Sequence, residues 1–145
     1  MARKNKAMTP PWFYILNFTW GLPMNLIGFV ALLLLLPFKR PYKYGPCLHI
    51  EIGRGWGGVN FGLIFITQKN ASERLKMHEV GHAVQNAMYG FLMPFIVGIP
   101  SVLWWTYMRY REHYIRVWNS VKYDDIWFER DATWYGVELV SDYFI

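Results

Sequence analysis

Two histidines, His78 and His82, lie four residues apart in the string His78-Glu79-Val80-Gly81-His82. In an α-helix, residues at positions i and i+4 share one face, so both imidazoles can reach a single metal ion. Glu79 follows the first histidine, where its carboxylate can take a proton from a water molecule at the metal. The pattern therefore predicts a metal site on a helix, with Glu79 as the general base.

The flanking residues predict that helix from Asn70 to Tyr89. Asn70 with Glu73 three residues later resembles a capping box, and Gly90 follows the last helical residue. Gly81 lies in mid-helix, where glycine costs about 1 kcal/mol relative to alanine. Its presence indicates the close approach of a neighbouring backbone or of substrate to the metal-binding face.

Residues 46–68, which precede this helix, predict two strands. Leu48, Ile50 and Ile52 alternate with more polar residues, four glycines follow, and a second apolar segment runs from Val59 to Thr67. This pattern predicts a β-hairpin with a glycine-rich turn. Cys47 and His49 would share a face of the first strand, and we interpret them as a buried pair rather than as metal ligands.

The motif resembles that of the His-Glu-x-x-His zinc metallopeptidases. The order of elements is similar to that of the gluzincins, whose thermolysin-like core runs from a strand to the motif helix and then to a second helix with a Glu ligand. His78 to Gln85, Gly90 and residues 95–101 also resemble a group of small bacterial membrane proteins that carry this motif. The resemblance covers residues 59–135 and implies Zn²⁺ as cofactor and a peptide or membrane-protein substrate.

A catalytic zinc site needs three protein ligands and one open position. The resemblance implies Glu129 as the third ligand, on a helix predicted from Asp125 to Tyr135 with Asp124 as its cap. Ala132 would leave room for this helix to pack against the first. Alternative ligands are Asp131, His113 and Asp125, and Glu129 could also be an ordinary solvated acid.

The N-terminal segment from Trp12 to Leu36 is apolar apart from Asn17, Thr19 and Asn25. At about 1.5 Å per residue it is long enough for a bilayer core of about 30 Å. We therefore predict an uncleaved transmembrane helix within an anchor of residues 1–40, followed by a metallopeptidase-like domain of residues 41–145.

A second apolar run extends from Phe91 to Met108. If it crossed the bilayer, Glu129 would lie on the opposite side from His78 and His82, so we predict a re-entrant helical hairpin broken at Gly98–Ser101. Aromatic and basic residues beyond it are typical of a membrane interface: Trp104, Trp105, Tyr107, Arg109, Tyr110 and Arg111.

Composition supports a membrane protein. Of the 145 residues, 54% are hydrophobic and 17% charged, which excludes intrinsic disorder, and the lone Cys47 excludes an intramolecular disulfide. The basic residues flank apolar runs instead of forming one dense stripe, so anionic lipid head groups are favoured over nucleic acid as partners. We expect a mostly α integral membrane protein with a small β-hairpin, and the resemblance implies a bacterial inner membrane. Basic residues on both sides of the N-terminal anchor leave the side of the site open, with the cytoplasmic side favoured.

The function predicted from these features is that of a membrane-anchored zinc metalloendopeptidase, with substrate extended along the segment Val59 to Thr67. His113 and Tyr135 are both candidates for stabilising the oxyanion. The alternative is a non-enzymatic membrane adaptor or assembly subunit with a structural or vestigial metal site. A lipid- or nucleic-acid-binding protein acting through basic and aromatic segments is the least favoured reading.

Overall fold

The structure is a computed structural model that describes residues 10–110 and 126–136. It is mostly helical with a small mixed four-stranded sheet. Between α3 and α4 the chain forms a 3₁₀ turn, Gly90–Leu92, and a π-helical turn, Pro94–Gly98. The helices and strands in chain order are α1 (Pro11–Phe18), α2 (Leu22–Leu35), β1 (Tyr42–Tyr44), β2 (Cys47–Glu51), β3 (Gly58–Phe61), β4 (Ile64–Thr67), α3 (Glu73–Tyr89), α4 (Ile99–Tyr110) and α5 (Trp127–Trp134).

The sheet has the strand order β1-β2-β4-β3, with β2 and β4 parallel and both outer pairs antiparallel. The predicted hairpin between residues 46–52 and the segment Val59 to Thr67 is therefore wrong. The second segment is itself a hairpin that turns at Gly62, whose φ is +76°. All four residues of β4 are buried, as expected for a central strand covered on both faces, whereas β3 lies at the edge.

The predicted single helix from Trp12 to Leu36 is in fact two helices, α1 and α2, bent by 83°. Three buried side chains, Asn17, Asn25 and Asn86, stabilise the bend, and we call them the asparagine cluster. The Asn25 amide donates to the backbone oxygens of Asn17 at 2.6 Å and Gly21 at 3.2 Å. The Asn86 amide donates to Asn17 Oδ1 at 2.7 Å and to the Gly21 oxygen at 3.1 Å. These bonds satisfy carbonyl groups that the break in the helix leaves open.

Within the described ranges, no helix taken alone has both the length and the apolar character needed to cross a bilayer. Two bent pairs meet those requirements together: α1 with α2, and residues 73–92 with residues 94–110, which are bent by 118°. The predicted break at Gly98–Ser101 is wrong, because the π-helical turn runs directly into α4 there. The bend lies earlier, where Gly90 ends α3 with a φ of +59°.

Helices cover both faces of the sheet. On one face Leu32 of α2 packs against Ile50, Ile64 and Ile66. On the other, α1 and α3 pack through Phe13, Cys47, Leu63, Phe65, Val80, Ala83, Val84 and Ala87. These contacts cross the predicted boundary at residue 40. A third apolar cluster joins α2, the π-helical turn and α5 beside the predicted site: Met24, Met93, Val97 and Phe128.

Candidate metal centre

Helix α3 carries the motif and begins later than predicted. Its N-cap is Ser72, whose Oγ accepts a hydrogen bond from the Leu75 N–H at 3.1 Å. Asn70 is not the cap, because it lies before the helix with a φ of +58°. The Ser72 cap leaves His78 and His82 in the middle of a regular helix, where both side chains are buried against the rest of the protein.

Helix α5 lies against α3 with unusually close backbones. A Cβ on Gly81 would overlap the backbone of Ala132, and one on Gly136 would overlap the backbone of Met77. Gly81 is therefore explained by the close approach of a neighbouring backbone, one of the two reasons expected from the sequence. Ala132 is fully buried at that contact. The helix spans Trp127–Trp134, shorter than predicted, while Asp124 and Asp125 lie outside the described residues.

The close contact brings the three predicted ligands together. One oxygen of Glu129, Oε2, lies 3.1 Å from His78 Nε2 and 3.3 Å from His82 Nε2. In a tetrahedral site with bonds of about 2.0–2.1 Å, neighbouring ligand atoms are separated by about 3.3 Å. All three residues are buried, and together they could hold a metal ion. Two imidazoles and a carboxylate suit zinc and related divalent metals.

Two further side chains orient the histidines. Gln85 donates through Nε2 to the Phe128 carbonyl at 2.8 Å, so its Oε1 faces His82 Nδ1 at 2.7 Å. Because an amide oxygen only accepts, His82 Nδ1 must carry the proton, and a neutral ring then has its lone pair on Nε2. His78 Nδ1 lies 2.7 Å from the Thr133 hydroxyl. Such contacts at the second ring nitrogen are typical of metal-ligating histidines.

The cluster needs positive charge between its members. A neutral His82 would direct a lone pair at the Glu129 carboxylate, which is repulsive in a buried setting. Burial lowers the pKa of His82, but hydrogen bonding and charge from Glu129 outweigh this effect and raise the pKa to about 9. Burial raises the pKa of Glu129, whereas His78 and His82 lower it, leaving that pKa well below its usual range. A proton or a metal cation can supply the charge that this arrangement requires.

Glu79 lies beside the three ligands, and only 3% of it is exposed. Its Oε2 is buried without a hydrogen-bond partner in the described part of the chain. Burial raises the pKa of Glu79, and the charge of Glu129 adds to the effect while the two imidazoles oppose it. Gly58 of β3 makes room for this carboxylate, since a Cβ there would lie 2.7 Å from Glu79 Oε1. An acid of this kind, buried and unpaired beside a metal-ligand set, is suited to proton transfer.

A cavity of about 220 Å³ adjoins the cluster and is lined by residues of β3, α2 and α4 as well as by the ligands and Glu79. A second cavity, of about 300 Å³, also reaches His78 and Glu79. The ligand set therefore has open space beside it, as a catalytic site requires and a closed structural site does not.

The alternative ligands and oxyanion-stabilising residues named from the sequence do not lie in the described cluster. Asp131 is partly exposed and lies 3.8 Å from Arg130, away from the cluster. His113 lies outside the described residues, as does Asp125. Tyr135 packs against the apolar core.

Cys47 and His49 are both buried in β2, as the strand-pair interpretation requires. His49 Nε2 lies 2.6 Å from the Thr67 hydroxyl, and the ring stacks on Phe65 at 4.4 Å between centroids. Burial lowers the pKa of His49 to about 4, so this ring is neutral at pH 7. It belongs to the core of the sheet.

Four contributors were not identified from the sequence: Gln85, Thr133, Gly58 and Asn60. Asn60 donates to the Glu79 backbone oxygen at 2.8 Å and ties the edge strand to α3. Helical spacing could have suggested the first two, because Gln85 is three residues after His82 and Thr133 is four after Glu129. Comparisons with protein-family models, with curated proteins and with solved structures find no match to this chain.

Proposed function

We propose that this chain is a zinc-dependent metallopeptidase that works at a lipid bilayer. The observation that carries the proposal is the convergence of His78, His82 and Glu129 on one point, with the unpaired Glu79 carboxylate beside them. This combination supplies both a metal-ligand set and a base in one cavity. A buried ion pair with a purely structural role would not need a second, unpaired carboxylate such as Glu79 beside it.

Each residue has a separate role. His78, His82 and Glu129 would hold the metal, and Gln85 and Thr133 keep the imidazoles oriented. When bound, the metal polarises a carbonyl group and makes a nearby water molecule more acidic. Glu79 removes the proton of the attacking water and passes it to the nitrogen of the leaving amine. Glu79 is buried beside the ligands, where it can hold that proton between the two transfers.

The edge strand β3 is the surface that we propose for the substrate main chain. It is an outer strand of the sheet, and Gly58 and Asn60 link it to Glu79. An extended peptide can add to such an edge through backbone hydrogen bonds. The sequence predicted the whole segment Val59 to Thr67 as the binding surface. Within it, only β3 can bind a peptide strand, because β4 is already paired with β2 and β3.

Bilayer contact is supported by the exposed apolar side chains of α1 and α2. These include Trp12, Ile15, Phe18, Leu26, Ile27, Phe29, Val30, Leu33 and Leu34. A soluble monomer rarely exposes so continuous an apolar surface. Lys39, Arg40 and Lys43 follow α2 directly, where they can meet anionic head groups.

The proposal is tested by measuring zinc content and peptide cleavage on the full chain purified in detergent. We expect Glu129→Gln to weaken zinc binding by at least about 100-fold, because it removes a charged ligand. Asp131→Asn on the same helix is the matched control and should keep wild-type zinc. Glu79→Gln should retain zinc and lower cleavage of a fluorogenic peptide library by about 10²- to 10⁴-fold.

Two outcomes would overturn the proposal. Wild-type cleavage by Glu79→Gln would exclude the assigned base. Zinc bound at a closed site, with no cleavage of any peptide by the wild type, would favour the non-enzymatic adaptor instead.

A further inference from the structure

The two cavities beside the metal ligands have different surroundings. Both include Gly58, His78, Glu79 and Trp105 in their walls. The larger, of about 300 Å³, is completed by Gly57, by the apolar Leu75 and by three polar residues at the start of α3 and on α5: Ser72, Arg74 and Thr133. Besides the ligands, and with Asn60 and Ser101 as the polar exceptions, the smaller, of about 220 Å³, is completed mainly by apolar groups: Met24, Trp56, Val59, Met93, Gly98 and Val102.

The smaller cavity reaches the protein surface on α4. Val102 lines the cavity and is 57% exposed, so it lies at the rim. Three exposed residues around it on the same helical segment are apolar as well, Phe95, Ile99 and Leu103, whereas the exposed Thr106 donates its hydroxyl to the Val102 oxygen at 2.8 Å. Met24 also lines the cavity and belongs to α2, whose outward side chains are apolar along its length. The opening therefore lies within an apolar surface.

Charge is arranged around this surface in the way that a bilayer requires. No Asp, Glu, Lys or Arg occurs in residues 10–38 or 80–108, which supply the apolar helices. Basic residues follow both stretches, with Lys39 and Arg40 after α2 and Arg109 near the end of α4. Apolar side chains bordered by cations match acyl chains bordered by anionic head groups. The Arg109 guanidinium also donates to the Gly55 oxygen at 3.0 Å, which ties this border to the glycine-rich loop before β3.

We propose that the metal site opens to acyl chains through the smaller cavity, at Val102, and to water through the larger cavity, at Arg74. Its substrate is then an apolar peptide segment embedded in the bilayer. The inference rests on the proposed peptidase function and adds its substrate class and route. An apolar segment passes between α2 and α4 to reach Glu79 and the ligands. Water reaches the same groups from the polar side, so the two reactants need not share one path.

Fluorescence quenching tests the two openings without reference to activity. A bimane label is attached to Val102→Cys or to Arg74→Cys in the full chain, and Cys47 is buried and so protected from the label. The labelled proteins are placed in vesicles of phosphatidylcholine and phosphatidylglycerol. We expect doxyl-labelled lipid, but not iodide, to quench the label at residue 102, and iodide, but not doxyl lipid, to quench it at residue 74.

Quenching by iodide at both positions would overturn the proposal, since the smaller cavity would then open to water. Protection of residue 102 from both quenchers would also overturn it, because protein would then cover the rim. Neither result depends on zinc or on catalysis, so failure here is distinct from failure of the peptidase assignment.

A pair of rim variants tests the substrate class. Val102→Trp narrows the apolar opening, whereas Leu103→Trp, its exposed neighbour outside the cavity lining, is the matched control. We expect Val102→Trp to lower kcat/KM for an apolar membrane-inserted peptide by about tenfold or more. A short soluble peptide with the same cleaved bond should lose less than about twofold. Equal losses for both peptides, or equal effects of both variants, would contradict the proposed route.

Discussion

Two buried polar clusters tie α3 to other helices, and they differ in what satisfies them. In the asparagine cluster, each amide nitrogen has two oxygen acceptors, so its donors are satisfied by the protein itself. In the metal-ligand cluster, two imidazole nitrogens face one carboxylate oxygen. That arrangement is complete only when a cation or proton lies between them.

The difference separates a cluster that the protein itself satisfies from one that could hold a metal ion. Neutral amide hydrogen bonds stabilise a helix bend at modest net free energy, and they cost most when one partner is removed. Three ligand atoms that converge on one point instead favour the binding of a proton or a metal cation between them. Burial is common to both clusters, so burial alone does not indicate function.

The largest expected effect comes from separating the two helices that form the metal-ligand cluster. Gly81→Ala introduces a Cβ that overlaps the backbone of Ala132, so α5 must move and carry Glu129 away. We expect zinc affinity, measured by competition with a chromophoric chelator, to fall by at least about 100-fold. Gly98→Ala is the matched control, because its nearest new contact is an ordinary 3.6 Å. Wild-type zinc affinity in Gly81→Ala would show that the close contact is not what assembles the site.

An effect of similar size, and one independent of metal, is expected in the asparagine cluster. Asn25→Leu leaves the Leu63 N–H without its acceptor and the Asn17 oxygen without its Asn25 donor, whereas the Gly21 oxygen keeps the Asn86 amide. The free energy of unfolding should fall by about 3 kcal/mol, by the same amount with and without zinc. Chemical denaturation of both forms measures the change. A loss seen only in the zinc-loaded protein would mean that the two clusters are coupled.

The smallest expected effect concerns the support of a ligand rather than the ligand itself. Gln85→Leu removes the acceptor for His82 Nδ1 and should weaken zinc binding by about 10- to 100-fold. Gln85→Glu keeps an oxygen at that position and should bind zinc more tightly than Gln85→Leu. Equal zinc affinity in the two variants would show that the hydrogen bond to His82 does not support the site.

Local sequence patterns predicted the motif helix well and the strands less well. Alternating apolar residues identified residues 46–68 as β structure, but they carry no information about which strands pair. The parallel contact of β2 with β4 depends on the turn at Gly62, where the Asn25 side chain of a distant helix accepts from the next N–H. The length of the apolar N-terminal segment likewise predicted one helix, because length carries no information about contacts with distant residues. The bend at Gly21 depends on Asn86, which lies far away in sequence.

Composition and spacing alone predicted a mostly helical chain. They also placed His78 and His82 on one face, because a helix brings residues four apart together, and Glu79 directly beside His78. Spacing alone did not select the third candidate ligand, which only the resemblance indicated and tertiary structure then placed beside the histidines. Glu129 and Asp131 are both acids on the same short helix, and only the packing of α5 against Gly81 directs the first at the histidines and leaves the second at the surface. Tertiary structure likewise positioned Gln85 and Thr133 behind the imidazoles and Gly58 beside Glu79. Contacts between distant segments depend on how whole elements pack, and no local periodicity encodes that packing.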